Sequence, residues 1–107
     1  MIRKTPAGVI QMNEITERER ETLRELERVL LTEVPAERFC CDGGKKDKCM
    51  CILPGEAGQW IVFFRDGTLG EDVTIHPDLE EAALQLISNV APSDAALERL
   101  RARFPGR

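Results

Sequence analysis

The chain has no tyrosine, one histidine (His76), and serine only at Ser88 and Ser93, so few groups are available for proton transfer or nucleophilic attack. No Ser/His/Asp or Cys/His relay has a sequence signature. His76 stands directly before Pro77, where a capping or surface role suits it. Glu80 and Glu81 are neighbours that would diverge by about 100° on a helix, so they do not make an acid/base pair. Asp42-Gly43-Gly44 lacks both the preceding long strand and the Gly-Lys-Ser/Thr ending of a phosphate loop. The expectation is a protein that is not an enzyme.

Long apolar runs are missing as well. The longest, Trp60 to Phe64, is far short of the ~20 residues that span a bilayer. Arg3 and Lys4 are not followed by the apolar stretch of a secretory signal, so a reducing cytoplasm is expected. With 107 residues, 42% apolar and 32% charged, one domain spanning 1–107 with a buried core is expected, its first twelve residues a loose arm or an edge strand at Gly8 to Met12.

The third absence is of positive charge between residues 66 and 98. That block holds Asp66, Glu71, Asp72, Asp78, Glu80, Glu81, Asp94 and Glu98 and no lysine or arginine. Residues 1 to 65 balance 11 acidic against 11 basic side chains, and the last nine residues carry four arginines. A one-sign field repels nucleic acid and steers a basic partner into contact. The plainer reading is a solvated acidic helix start.

The pattern of what is present gives an α+β chain: an N-terminal helix, a three- to four-stranded antiparallel sheet, and one or two C-terminal helices packed on it. The first helix starts near Asn13 or Thr16, where Thr16-x-x-Glu19 has capping-box form. Leu23, Leu26 and Leu30 give it an apolar stripe, and Pro35 bounds it. Its charged face offers Glu14 with Arg18 and Glu25 with Arg28 at helical spacing. Arg38 to Cys41 and Cys49 to Leu53, joined through the turn signal Asp42-Gly43-Gly44, read as a hairpin. Trp60 to Phe64 is a central strand, followed by a turn at Asp66-Gly67 and a fourth strand over Asp72 to Ile75. Pro77 at a first helical position, with Asp78, Glu80 and Glu81 near the dipole's positive end, opens a helix lined by Leu79, Ala83, Leu86 and Val90. Pro92 breaks it. Ser93 caps a third helix bearing Leu97, Leu100 and Phe104.

Cys40, Cys41, Cys49 and Cys51 invite a zinc reading, yet their spacing opposes it. Tetrahedral zinc needs sulfurs ~3.8 Å apart, usually with two to four residues between paired ligands. Here the pairs are adjacent or one apart. If Cys41 faces Cys49 in a hairpin, then Cys41, Cys49 and Cys51 share one face and Cys40 takes the other. Buried small hydrophobes, a metal site and a redox pair all remain open, and Lys45, Lys46 and Lys48 would lower a nearby thiol pKa.

Val34-Pro35, Phe39-Cys40-Cys41-Asp42-Gly43-Gly44, Lys48-Cys49-Met50-Cys51-Ile52-Leu53, Gly58-Gln59-Trp60-Ile61-Val62-Phe63-Phe64 and Glu80-Glu81-Ala82-Ala83-Leu84 together resemble a family of small bacterial immunity proteins, which neutralise polymorphic toxins. The likeness covers about residues 20 to 90. Arg65-Asp66-Gly67 stands where the family has a longer Glu-Arg-Gly turn, and Thr74-Ile75-His76 where it more often has Arg-x-Phe. The resemblance implies occlusion of the active site of a basic toxin domain. The contacts expected are Asp66, Glu71, Asp72, Asp78, Glu80 and Glu81, with Asp42 in the Asp42 to Lys48 loop as a second region. No cofactor is then needed. The alternative is a small zinc-binding or redox-linked regulator built on the Cys40 to Cys51 hairpin. Oligomeric state stays open, since an edge strand can pair with a second copy.

Overall fold

A computed structural model describes residues 15–41, 47–67 and 69–104. The expectations for residues 1 to 12 and for Glu14 and Asp42 lie outside the described residues. The α+β class is as expected, with the order α1 (Glu17–Leu30), β1 (Phe39–Cys40), β2 (Cys49–Pro54), β3 (Trp60–Asp66), β4 (Leu69–His76), α2 (Leu79–Val90) and α3 (Asp94–Arg103). The four strands form one sheet in the order β1-β2-β3-β4. All three helices lie to one side: α2 packs on β2, β3 and β4, and α1 and α3 pack on α2 and on each other. Among the described residues no helix is long and apolar enough to cross a membrane.

The helix starts are set by local chemistry. The Thr16 side chain accepts from the Glu19 backbone N–H at 3.0 Å, and the Glu19 carboxylate accepts from the Thr16 N–H at 2.9 Å. Two donors that the first turn leaves orphaned are thereby satisfied. Thr16→Ala should cost about 1 kcal/mol of stability, and Thr16→Ser much less; matched urea melts of the two variants check this. Leu23, Leu26, Val29 and Leu30 turn inward. The helix ends at Leu30, four residues earlier than Pro35 demands, because the 31–34 segment closes in tight turns with Val34 N–H donating to the Leu30 carbonyl at 2.8 Å. Glu25 and Arg28 pair on the exposed face. At α2 the cap is Asp78, which accepts from the Glu81 N–H at 2.9 Å, so Pro77 precedes the helix instead of occupying its first position. Ser93 caps α3 as its sequence suggests.

The expected hairpin between the cysteine segments is corrected. β1 and β2 run parallel, with Phe39 beside Met50 and Cys40 beside Cys51. The physical reason is Phe39. In the antiparallel register that places Cys41 opposite Cys49, Phe39 would share a face with Cys51 and point away from the helices. In the parallel register it joins Met50 and Ile52 in the core beneath them. Cys49 and Cys51 share a face as expected, but Cys40 and Cys41 exchange places: Cys40 joins those two on the face away from the helices, and Cys41 joins the main core.

β3 is the central strand, antiparallel to both β2 and β4. Its alternation divides the two faces. Trp60 and Val62 are fully buried against the helices, while Ile61 and Phe63 face outward and are only half-buried. β4 is longer than Asp72 to Ile75. Gly67, at φ +66°, makes a turn that a residue with a Cβ adopts poorly, and the strand then resumes with Leu69 opposite Asp66. The β3/β4 register shifts between Val62 and Phe64, so Asp72 and Val73 stand opposite Phe63 alone. Asp72 absorbs this bulge at φ +54°.

Candidate functional site

The acidic residues singled out from the sequence follow β4 from one end to the other, yet they are not equivalent. Asp66 closes β3 opposite Leu69, and its Oδ1 accepts from Lys48 Nζ at 2.7 Å. That bond, with the attraction of the same carboxylate, holds the Lys48 pKa above its ordinary value. Asp78 is spent locally as the α2 cap. Glu71 and Asp72 are exposed on β4, and Glu80 and Glu81 lie in the first turn of α2. Two of the six carboxylates are therefore built into the fold, and the other four border the sheet edge and the adjoining helix start.

Asp47 was not a sequence candidate. Its Oδ1 accepts from the Gly67 N–H at 2.6 Å and from the Lys48 N–H at 2.9 Å, so it ties the start of β2 to the β3/β4 turn across twenty residues. The bond from Gly67, ahead of that from Lys48, lowers the Asp47 pKa. Only spatial proximity reveals this contact, since nothing in a local window pairs position 47 with position 67.

Between β4 and α2 the surface hollows into a groove. One part, about 400 Å³, is lined by Met50, Asp72, Val73, Thr74, Gln85 and Asn89. A second, about 210 Å³, continues along the same helix past His76, Glu81 and Ser88 to Arg101, and Gln85 borders both. The lining mixes apolar groups, Met50 and Leu84 among them, with polar ones that are partly self-satisfied. Gln85 Nε2 donates to Asn89 Oδ1 at 2.8 Å, Arg101 donates to Ser88 Oγ at 3.3 Å, and His76 Nε2 shares a hydrogen bond with Thr74 Oγ1 at 2.8 Å. His76 thus sits at the groove's rim beside a hydroxyl. Against chain families, against curated proteins and against solved structures, the chain finds no match.

On the other side of the same strand the surface is apolar and open. Ile75 is 61% exposed and Val73 54%, whereas exposed Leu69, opposite Asp66, alternates to the helix-facing side near the turn. Ile75 lies beside the half-buried Ile61 on the face away from the helices. The strand therefore presents Ile75 to the face away from the helices, and to the other side a groove of mixed polar and apolar lining, with Val73 bordering both.

The cysteines present a different chemistry. None of the four is in a disulfide. Cys40, Cys49 and Cys51 are at most 1% exposed and pack with Phe63. Cys49 and Cys51 sulfurs are 4.0 Å apart, and the Cys51 thiol also donates to the Cys49 carbonyl at 3.7 Å. The hydrogen bond with Cys40, then burial, then Cys49 raise the Cys51 pKa far above an ordinary thiol's. The effect expected of Lys48 is not seen: Lys48 turns to Asp66, and at Cys51 the hydrogen bond with Cys40 comes first and burial second; Lys45 and Lys46 lie outside the described residues. Among the described residues no group of three or more His, Cys, Asp or Glu side chains is arranged to hold a metal ion. Cys41 lies across the sheet from the other three thiols.

The basic C-terminal segment is committed to packing. Arg99 donates through Nε and Nη2 to both oxygens of Glu33, at 2.5 and 3.0 Å, and Arg103 Nη1 donates to Thr32 Oγ1 at 2.8 Å. The Arg99 bond lowers the Glu33 pKa. These arginines fasten α3 to the end of α1.

Proposed function

We propose that the protein is a non-catalytic binding module acting as an immunity protein, which covers the active site of a basic bacterial toxin domain in the cytoplasm. The observation that carries this reading is the placement of Glu71, Asp72, Glu80 and Glu81 along the β4 edge and the start of α2, next to exposed Val73 and Ile75. Interfaces that form fast and last join these two ingredients: a one-sign rim that accelerates encounter and an apolar patch that slows release. The resemblance to immunity proteins supports the same reading, and the buried, proton-retaining thiols give no support to a metal- or redox-linked regulator.

The test uses a basic protein domain that co-purifies with this chain and binds it directly. Glu71→Lys, Asp72→Lys and Glu80→Lys combined should slow association at least about tenfold and flatten its salt dependence, with the melting temperature measured alongside to exclude unfolding. Unchanged association and affinity in the folded triple variant would sink the proposal.

A further inference from the structure

We infer that β4 and the groove behind it receive an extended segment of the partner, added to the sheet as a fifth strand whose groove-facing side chains are basic. The inference rests on the reading above that the partner is a basic protein, and it specifies how the contact is made.

β4 has β3 on one side and, among the described residues, no strand on the other. Its outer edge thus offers a row of backbone donors and acceptors of the kind that templates strand addition. Proteins usually blunt such an edge with lysine or proline, and Leu69–His76 contains neither. The bulge at Asp72 and Val73 interrupts the strand at one point and leaves Val73 to His76 as an extended stretch.

The two sides of β4 match the two sides of an incoming strand, whose side chains alternate between faces. One set would lie over exposed Val73 and Ile75. The other would enter the groove, where Asp72 and Glu81 carboxylates and the Gln85 and Asn89 amides suit the long stem and charged head of lysine or arginine. Arg101 at the far end repels such a head, so the basic side chains belong toward Asp72. From Val73 to His76 the edge spans roughly 10 Å, room for about four residues of added strand.

Charge also selects the occupant. Two copies of this chain pairing β4 to β4 antiparallel about Val73 to His76 would bring Glu71 of each toward Asp78 of the other, with no lysine or arginine on the strand to offset them. Like charges across paired strands are destabilising. A basic segment reverses the sign of that term.

The experiment uses the full chain, nitrogen-15 labelled, with a capped peptide of about nine residues alternating lysine and valine, and the same peptide N-methylated at every residue so that neither edge keeps a donor. Both carry the same charge, but the methylated one cannot complete a ladder. The inference expects backbone shifts confined to β4, side-chain amide shifts at Gln85 and Asn89, rapid hydrogen exchange of the outer β4 amides before peptide is added, and affinity about tenfold or more weaker for the methylated peptide. Ile75→Lys should weaken the unmodified peptide by a similar factor. Equal binding of the two peptides overturns strand addition while leaving the charge-based reading of function intact. Absence of β4 shifts at millimolar peptide overturns it also. Outer amides already protected in the peptide-free protein, whether in a monomer or a dimer, overturn it by showing the edge occupied.

Discussion

Trp60→Ala is expected to lower folding stability by about 3–5 kcal/mol, the largest loss from any single truncation in this chain. Trp60 is the largest of the fully buried side chains, at 1% exposure. It sits at the start of the central strand, with Pro54 on β2 to one side and His76 on β4 to the other. Its indole is part of the apolar cluster that also contains α1, α2 and α3 side chains such as Leu26, Leu86 and Leu100. Removing it opens a cavity where sheet and helices meet, and such interiors relax only partly around a void. A domain of this size is stable by roughly 5–15 kcal/mol in total, so the variant would lose about a fifth of its margin or more. Trp60→Phe keeps most of the volume and should cost less than half as much. Because Trp60 is the only tryptophan and the chain has no tyrosine, the measurement is guanidinium unfolding followed by far-ultraviolet circular dichroism. A midpoint shift equivalent to under 1 kcal/mol would mean that the sheet does not depend on this side chain.

That the sequence identifies Trp60 so readily, and fails elsewhere, follows from the range of the interactions involved. Capping is local: Thr16 with Glu19 and Ser93 with Ala96 are three residues apart, and both helix starts are visible in a short window. Apolar spacing is also local, so Leu23, Leu26 and Leu30 mark the buried side of α1 directly. Strand direction is not local. Asp42-Gly43-Gly44 signals a change of direction, but whether Phe39 lies beside Met50 or Cys51 depends on which face the helices cover. The parallel register consequently exchanges the faces of Cys40 and Cys41 relative to the hairpin expectation, while Cys49 and Cys51 share a face in both. The charge block from 66 to 98 pointed to β4 without resolving that Asp66 and Asp78 are already engaged. The groove needs α2 and α3 folded onto the sheet before Gln85, Asn89 and Arg101 meet Asp72 and His76 along it, and no spacing rule joins those positions.

The thiol cluster makes the second large effect one of pH. Cys51 is an acid whose folded-state pKa is raised above its unfolded value of 9.0. The folded chain therefore keeps a proton that the unfolded chain releases once pH passes about 9, and above that point the unfolded state binds fewer protons. The stability at stake is fully present below pH 9 and is lost as pH rises, at up to about 1.4 kcal/mol per pH unit. Since the Cys51 pKa is pushed beyond the working range, the decline continues to the highest pH at which the fold survives. Urea unfolding of the native chain and of Cys51→Ala from pH 8 to about pH 10.5 isolates this contribution, because lysines, including Lys48 with its Asp66 bond, titrate in both. The native chain should be the more stable at pH 8, and its advantage should shrink by about 2 kcal/mol by the top of the range. Thiol-reactive dye at pH 8 should leave the native thiols unmodified over the time in which urea-unfolded chain reacts at all four, since attack requires thiolate and access and the cluster withholds both. A constant gap between the two proteins across the pH range, with fast dye reaction in the folded state, would show that Cys51 ionises in place and that the outer sheet face admits solvent to the cluster.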